Sequence, residues 1–310
     1  MKFSLVFPGQ GSQSLGMMSA YGDSAIIRHT FDEASAALGR DLWALVSEGP
    51  AELLNQTVNT QPLMLTAGMA VFRRWCELGG QMPAVVAGHS LGEYSALVAA
   101  GVLTLAEAVP LVELRAKAMQ EAVPAGHGAM AAVLGLDAEA VLRICREAAQ
   151  GDIVEAVNFN EPKQTVIAGN KVAVERAAEL AKMNGAKRAL MLPVSAPFHC
   201  SLMRPAALRL EQAIKQIRFK QPVLPLINNV DVAILDNLEH IGAALVRQAA
   251  SPVRWVETMQ LMQTMGVTHV FECGPGKVLT GLVKRCADTM VGTALVDAAA
   301  LDAAIAMARS

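Results

Sequence analysis

The chain has 310 residues, is 53% hydrophobic but only 4% aromatic, and carries a net charge of −2. That length suffices for one large domain or two ordinary ones with a substantial core, and the near-neutral charge excludes the strongly basic surface of a nucleic-acid binder. Five cysteines (Cys76, Cys145, Cys200, Cys273 and Cys286) form no C-x-x-C pair, so reduced thiols in a cytoplasmic protein are expected, with neither a zinc site nor a disulfide framework.

The N-terminal apolar run is broken at once by Pro8-Gly9, too short for the core of a secretory leader. The charge-free apolar stretch over residues 95–106 is about a dozen residues long, short of a membrane span. Residues 3–7 (Phe-Ser-Leu-Val-Phe) read as a buried strand ending at the turn Pro8-Gly9-Gln10-Gly11-Ser12-Gln13. Glycines at 9, 11 and 16 do not make G-x-G-x-x-G, and no acidic residue ends a second strand at the distance a dinucleotide site requires. Such a turn can instead aim main-chain N–H groups, or the Gln10 amide, at the strand ends where ligands of open parallel sheets bind. Residues 23–80 read as mostly helical, with breaks at Gly39-Arg40, Gly49-Pro50 and Gln61-Pro62.

Residues 84–87, Ala-Val-Val-Ala, form a short apolar run that enters Gly88-His89-Ser90-Leu91-Gly92, and residues 95–100 then read as a helix. A serine with glycine two residues away on each side, between strand and helix, has the form of a nucleophile elbow. The turn is sharp enough that side chains at 88 and 92 would strike neighbouring backbone. It lifts the hydroxyl clear of the sheet and places helix N–H groups behind it for a developing oxyanion.

Thr104, with Glu107 three residues on, predicts a capping box. The helix that follows runs through Pro110, or breaks there into a pair. At 100° per residue Leu111, Leu114, Ala118 and Ala122 share a face with Arg115 in its middle. A guanidinium on an apolar face must have a partner. A structural ion pair, a snorkelling stem and a substrate carboxylate all meet that need.

Between residues 126 and 195 the order changes. Strands at 129–134, 154–157, 165–168 and 189–192 alternate with helices at 137–149 and 171–184, the β-α-β-β-α-β order of ferredoxin-like folds. The chain then passes Ser195-Ala196-Pro197-Phe198-His199-Cys200, a helix at 202–217, a strand at 222–228, a helix at 239–248 and a last central strand at 267–272. Cys273-Gly274-Pro275-Gly276-Lys277 lacks the glycine a P-loop needs five residues before Gly276. The expected architecture is α/β, a parallel sheet flanked by helices, interrupted by a smaller α+β insert. The expected division is 1–125 with 196–310 as a hydrolase-like core, and 126–195 as a ferredoxin-like subdomain.

Ser90 needs a base within hydrogen-bond reach. His89 points away from Ser90 by strand alternation, His269 reads as a core histidine in a strand, and His240 sits on a charged helix. His199, in the loop where the chain re-enters the core, is left by elimination. No aspartate stands out as a third member, so a main-chain carbonyl is a candidate to orient the ring.

Taken together, Phe7-Pro8-Gly9-Gln10-Gly11-Ser12-Gln13, Gly88-His89-Ser90-Leu91-Gly92-Glu93-Tyr94, Arg115, Pro197-Phe198-His199 and Gly274-Pro275-Gly276 closely resemble the malonyl-CoA:acyl-carrier-protein transacylases of fatty acid synthesis. They also resemble the acyltransferase domains of polyketide and fatty acid synthases. Order and spacing cover the chain end to end, and that family's hydrolase-like α/β core with a ferredoxin-like insert is the division drawn above. The resemblance implies that Ser90 takes the acyl group as an ester, and that His199 serves first as base and then as acid. Gln248, ahead of Ser251-Pro252-Val253-Arg254-Trp255, would lend its main-chain carbonyl to His199. The N–H groups of Gln10 and Leu91 would form the oxyanion hole, and Arg115 would hold the malonyl carboxylate in a bidentate pair. Phe198 matches the malonyl-selecting form of its motif, where bulk crowds an α-methyl branch.

The implied reaction is ping-pong: malonyl-CoA acylates Ser90, and the phosphopantetheine thiol of acyl carrier protein takes the malonyl group. No bound cofactor, nucleic acid or membrane is implied. Carrier proteins are acidic, which makes Lys182, Lys187, Arg188, Arg204, Lys284 and Arg285 candidates for docking them. A serine thioesterase would share the elbow, but Arg115 and the lack of an acid-then-histidine order near the C-terminus count against it. A related acyltransferase of malonate decarboxylase or of polyketide pathways shares every motif.

Overall fold

The computed structural model describes residues 1–309, and among them nine strands form two sheets. In chain order the strands are β1 (Phe3–Phe7), β2 (Val85–Gly88), β3 (Gly128–Leu134), β4 (Val154–Glu161), β5 (Gln164–Asn170), β6 (Arg188–Met191), β7 (Leu226–Ile227), β8 (His269–Glu272) and β9 (Val291–Ala294). The larger sheet has the order β7-β2-β1-β8-β9 and every pairing in it is parallel. Both faces of it are covered, as parallel sheets require. Phe3, Leu5 and Phe7 enter one core with Phe31, Leu63 and Trp75, while Val6, Val85 and Ala87 enter another with Trp255, Met259 and Val283. Period-two alternation along β1 assigns its side chains to the two cores.

The second sheet is antiparallel, in the order β4-β5-β3-β6. In order of appearance its strands lie 2-3-1-4, the ferredoxin-like arrangement the sequence order predicts. One face packs on the helices Ala138–Ala149 and Lys171–Met183 through Val133, Ile144, Ile167 and Val174. The other face, with Met130, Val157 and Val166, turns towards Cys200 and Phe198.

Several local expectations hold. Thr104 Oγ1 accepts from the Glu107 N–H at 3.2 Å and Glu107 returns the bond to the Thr104 N–H at 2.9 Å, a full capping box. Asp137 caps its helix by accepting from the Ala140 N–H at 2.8 Å. Others do not. The break expected at Gln61-Pro62 is absent, for the helix Thr57–Glu77 runs through Pro62, and Leu105–Glu121 likewise runs through Pro110. Each proline sits in the second turn, so a single ladder bond is lost. At Pro62 the Val58 carbonyl left without an N–H partner accepts from Arg40 Nη2 at 3.4 Å. The strand expected at 222–228 contracts to β7, while β8 is the last central strand, as expected. Beyond it lies the edge strand β9, a four-residue Val-Gly-Thr-Ala segment in which Val and Thr favour a strand and Gly and Ala do not, held by pairing with β8. His269 is only half-buried, at the β8 end, with Nδ1 3.0 Å from Thr268 Oγ1. No helix among the described residues is long and apolar enough to cross a membrane.

The carboxyl ends of β1 and β2 are pressed together. A Cβ on Gly88 would lie 1.9 Å from the Gly92 carbonyl, and one on Gly92 would lie 2.0 Å from the Phe7 carbonyl oxygen. Gly92→Ala is therefore expected to force β1 from the elbow and cost about 3 kcal/mol or more. Thermal unfolding should show a large loss in Tm. Gly281→Ala, in a helix with open space around it, should leave Tm unchanged or raise it slightly.

Candidate active site

Ser90 follows β2 and precedes the helix Gly92–Ala99. Its φ of 53° lies in the left-handed region that a residue with a Cβ rarely occupies. The Asn229 side chain secures that conformation: Oδ1 accepts from the Ser90 N–H at 2.8 Å, and Nδ2 donates to the Gly88 carbonyl at 2.7 Å. Asn229 stands just beyond β7, so the end of one strand braces the turn at the end of its neighbour.

His199 comes from the loop that precedes the helix Arg204–Ile214, and its φ is 67°. The ring is 3% exposed, with Nε2 2.7 Å from Ser90 Oγ and Nδ1 2.9 Å from the Gln248 main-chain oxygen. A carbonyl can only accept, so Nδ1 carries the proton and Nε2 is free to take one from the serine. Gln248 ends the helix Leu238–Gln248, whose last carbonyls lack intrahelical partners. The negative end of that helix also favours the imidazolium that proton transfer creates. Burial, reinforced by the nearby Arg115 charge, pushes the His199 pKa down from 6.5 to about 3. The resting ring is neutral at physiological pH.

Arg115 is 2% exposed. Nη1 donates to Gln61 Oε1 at 2.8 Å, while Nη2 donates to Gln248 Oε1 at 3.0 Å and to Ser90 Oγ at 3.2 Å. The guanidinium also lies over the Tyr94 ring, 5.5 Å from its centroid. Burial lowers the Arg115 pKa from the ordinary arginine value, yet the group remains a cation. Nε has no partner among the described residues, so this cation is incompletely satisfied beside the serine oxygen. Glu113 and Lys117 of the same helix face away and pair with each other at 2.8 Å.

The turn after β1 packs directly against the elbow. A Cβ on Gly9 would be 2.7 Å from the His89 carbonyl oxygen and 3.8 Å from the Leu91 nitrogen. Among the described residues neither the Leu91 nor the Gln10 main-chain N–H is bonded within the protein. Two unpaired donors next to a serine hydroxyl can stabilise an oxyanion. The cavity over Ser90, about 140 Å³, is walled by Gln61, Met119, Met130, Val194 and Phe198.

The expected site residues Ser90, His199, Gln248, Arg115, Gln10, Leu91 and Phe198 thus come together. His89 makes no bond to Ser90; its Nε2 lies 2.8 Å from Asn160 Oδ1 and its ring packs on Trp255 at 5.4 Å. His29, His127 and His240 are exposed. Of the basic docking candidates, Lys182 and Arg285 are paired with Glu179 and Glu161, while Lys187, Arg188, Arg204 and Lys284 are exposed and make no ion pair among the described residues. Gln61, Asn229 and Glu93 escaped sequence reading. The pair Asn228-Asn229 directly after an apolar strand was the available signal, since strand ends of parallel sheets are where binding groups collect. Glu93, a carboxylate amid a buried run, was another.

A model of the acyl transferase domain matches residues 4–301. The chain is 55% identical over 305 residues to the malonyl CoA-acyl carrier protein transacylase of Escherichia coli strain K12, covering 98% of this chain and 99% of that one. Its fold superposes with a TM-score of 0.97 on the crystal structure of the acyl-carrier-protein S-malonyltransferase from Burkholderia pseudomallei 1710b, at 56% identity over 99% of this chain and all (100%) of the other. A malonyl-transacylase solved in complex with its type II PKS acyl-carrier protein gives a TM-score of 0.98 at 53% identity, with 99% and 100% of the two chains covered.

The depressed His199 pKa has a measurable consequence. The rate of Ser90 modification by a sulfonyl fluoride should stay nearly flat from about pH 8 down to about pH 5, with no fall near the ordinary histidine value. The same shift acts on stability. The unfolded ring accepts a proton below pH 6.5 that the folded ring refuses until about pH 3, so its contribution is intact above 6.5 and lost as pH falls through that window.

Proposed function

This chain belongs to the acyl transferase family, and we propose that it carries malonyl groups from malonyl-CoA to the phosphopantetheine thiol of an acyl carrier protein, through an ester on Ser90. The observation that carries this reading is the buried Arg115 guanidinium, incompletely satisfied and 3.2 Å from Ser90 Oγ. An acyl group ending in a carboxylate supplies the charge that this cation lacks.

Malonyl-CoA brings its thioester carbonyl over Ser90 and its carboxylate to Arg115. Ser90 Oγ attacks the carbonyl carbon as His199 Nε2 takes the hydroxyl proton. The carbonyl oxygen becomes an oxyanion and accepts from the Leu91 and Gln10 N–H groups. As the intermediate collapses the C–S bond breaks, and the imidazolium returns its proton to the departing thiolate. The Gln248 carbonyl holds Nδ1–H throughout, so no buried acid is needed. The second half runs in reverse: a carrier-protein thiol gives its proton to His199 and its sulfur attacks the malonyl ester, restoring Ser90. Phe198, on the cavity wall, narrows the space beside the acyl α-carbon and disfavours branched groups.

Residues 1–125 and 196–310 serve as the catalytic core and 126–195 as a subdomain closing the cleft, a division supported by the two separate sheets. The exposed Lys187, Arg188, Arg204 and Lys284 are suited to an acidic carrier protein. No bound cofactor enters the cycle, and the setting is the cytoplasm.

Malonyl-CoA alone should add one malonyl group per chain, located on Ser90 by peptide mass spectrometry, and Ser90→Ala should abolish it. Holo carrier protein should discharge the ester much faster than water does. Label on another residue, or faster loss to water, would identify a different activity. Arg115→Ala should lower the kcat/KM ratio of malonyl- to acetyl-CoA by about 10- to 100-fold, the range of a lost charge-assisted pair.

A further inference from the structure

The side chains behind Arg115 stand in an order that simple charge pairing does not explain. A buried guanidinium is ordinarily met by a carboxylate, and a buried one is close by: Glu93, 2% exposed. Yet Glu93 spends its Oε2 on Gln248 Nε2 at 2.8 Å and on the Asn229 N–H at 3.0 Å. Arg115 meets Gln248 Oε1 instead, at 3.0 Å. The neutral amide therefore stands between the Glu93 carboxyl group and the guanidinium.

An amide has unlike ends, and its partners decide which way it points. Gln248 Nε2 donates both to Glu93 and to the Ser90 carbonyl at 2.9 Å. With its NH2 held by two acceptors, its oxygen must face the guanidinium. Turned over, the amide would set donor against donor at Arg115 and acceptor against acceptor at Glu93. Glu93 is itself fixed by the Asn229 main chain, whose side chain braces Ser90. Burial raises the Glu93 pKa to about 7 against the lowering effect of these bonds and of Arg115.

We propose that Glu93 is a positioning residue for acyl-group selection: by accepting from Gln248 Nε2 it locks Gln248 Oε1 towards Arg115, holding the guanidinium beside Ser90 without giving it a carboxylate of its own. A direct Glu–Arg pair would also hold the arginine, but it would compete with the acyl carboxylate for the same N–H groups. Relay through an amide fixes the cation and leaves its charge for the substrate. The inference rests on the reading of Arg115 as the site of the acyl carboxylate.

The test measures kcat/KM for malonyl-CoA and for acetyl-CoA, with holo carrier protein as acceptor and the full chain as enzyme. Arg115→Ala sets the scale of lost selection. Glu93→Ala should lower the malonyl-to-acetyl ratio about tenfold or more, whereas Glu93→Gln, which can accept the same bonds, should keep the ratio at or above that of the parent. Because Glu93 acts through the amide, Glu93→Ala/Gln248→Ala should show no lower ratio than Gln248→Ala alone. Should Glu93→Ala fail to fold, the exchange Glu93→Gln/Gln248→Glu conserves charge and places a carboxylate directly against Arg115, and its ratio should fall likewise. If Arg115→Ala lowers the ratio but Glu93→Ala or the exchange depresses both donors equally, the Glu93 inference is overturned and the Arg115 reading stands. Loss of the ratio in Glu93→Gln as deep as in Glu93→Ala overturns it too, because charge and not acceptance would then be the cause. An unchanged ratio in Arg115→Ala overturns the reading beneath both.

Discussion

The site is organised by the burial of one guanidinium, Arg115, that has no carboxylate in contact among the described residues. Removing a cation from water costs several kcal/mol unless its donors are met. Here the compensation is partial and mostly neutral: two amide oxygens, the serine hydroxyl and the face of Tyr94. That arrangement places demands on distant parts of the chain. Gln61 must arrive on one helix and Arg115 on another, and both helices continue through a proline close to the residue they deliver. The same charge helps keep His199 unprotonated, so one buried cation touches the serine hydroxyl and also holds the neighbouring imidazole neutral.

Ser90 and His199 are secured by different means. The serine stands at the end of a parallel strand, in a turn so crowded that only glycine fits on each side, and Asn229 clamps that turn from the next strand. The histidine sits on a loop, where small displacements would be costly to catalysis. The antiparallel sheet supplies the missing rigidity. Glu155 on β4 accepts from the Ser201 N–H at 2.8 Å and the Ser201 hydroxyl at 2.7 Å, two residues past His199. Farther along β4, the Val253 N–H donates to the Val157 carbonyl at 2.8 Å and the Phe159 N–H donates to the Val253 carbonyl at 3.0 Å. The segment after Gln248 is thereby stitched to the same strand. The second sheet is both a wall of the cleft and the brace for the loops that carry His199 and the Gln248 carbonyl bonded to it.

Much of this was legible in the residues. Gly88-His89-Ser90-Leu91-Gly92 encodes its turn locally, because strand, steric limit and helix start all lie within about a dozen positions. The capping box at Thr104, the apolar face around Arg115 and the β-α-β-β-α-β order are likewise local or periodic signals. His199 could be chosen by elimination, and the absence of an acid partner agrees with the Gln248 carbonyl that meets it. Pro62 misled, and Pro110 left two readings open, because proline's local penalty is small beside the packing of a long buried helix. Strand β9 was missed because four residues, two of them Gly and Ala, make too short a pattern, and pairing with β8 settles it.

The sequence by itself determined the strand-turn-helix around Ser90, the place of Arg115 on an apolar helix face and the β-α-β-β-α-β succession in mid-chain, each expressed in neighbouring residues or in a regular period. Only the tertiary structure decided what Arg115 touches, which end of the Gln248 amide faces it, and that Asn229 and Glu93 belong to the site at all. Those hydrogen bonds join residues 25 to 158 positions apart. Hydrogen-bond direction at an amide depends on partners brought by other strands and helices, and no local pattern encodes it.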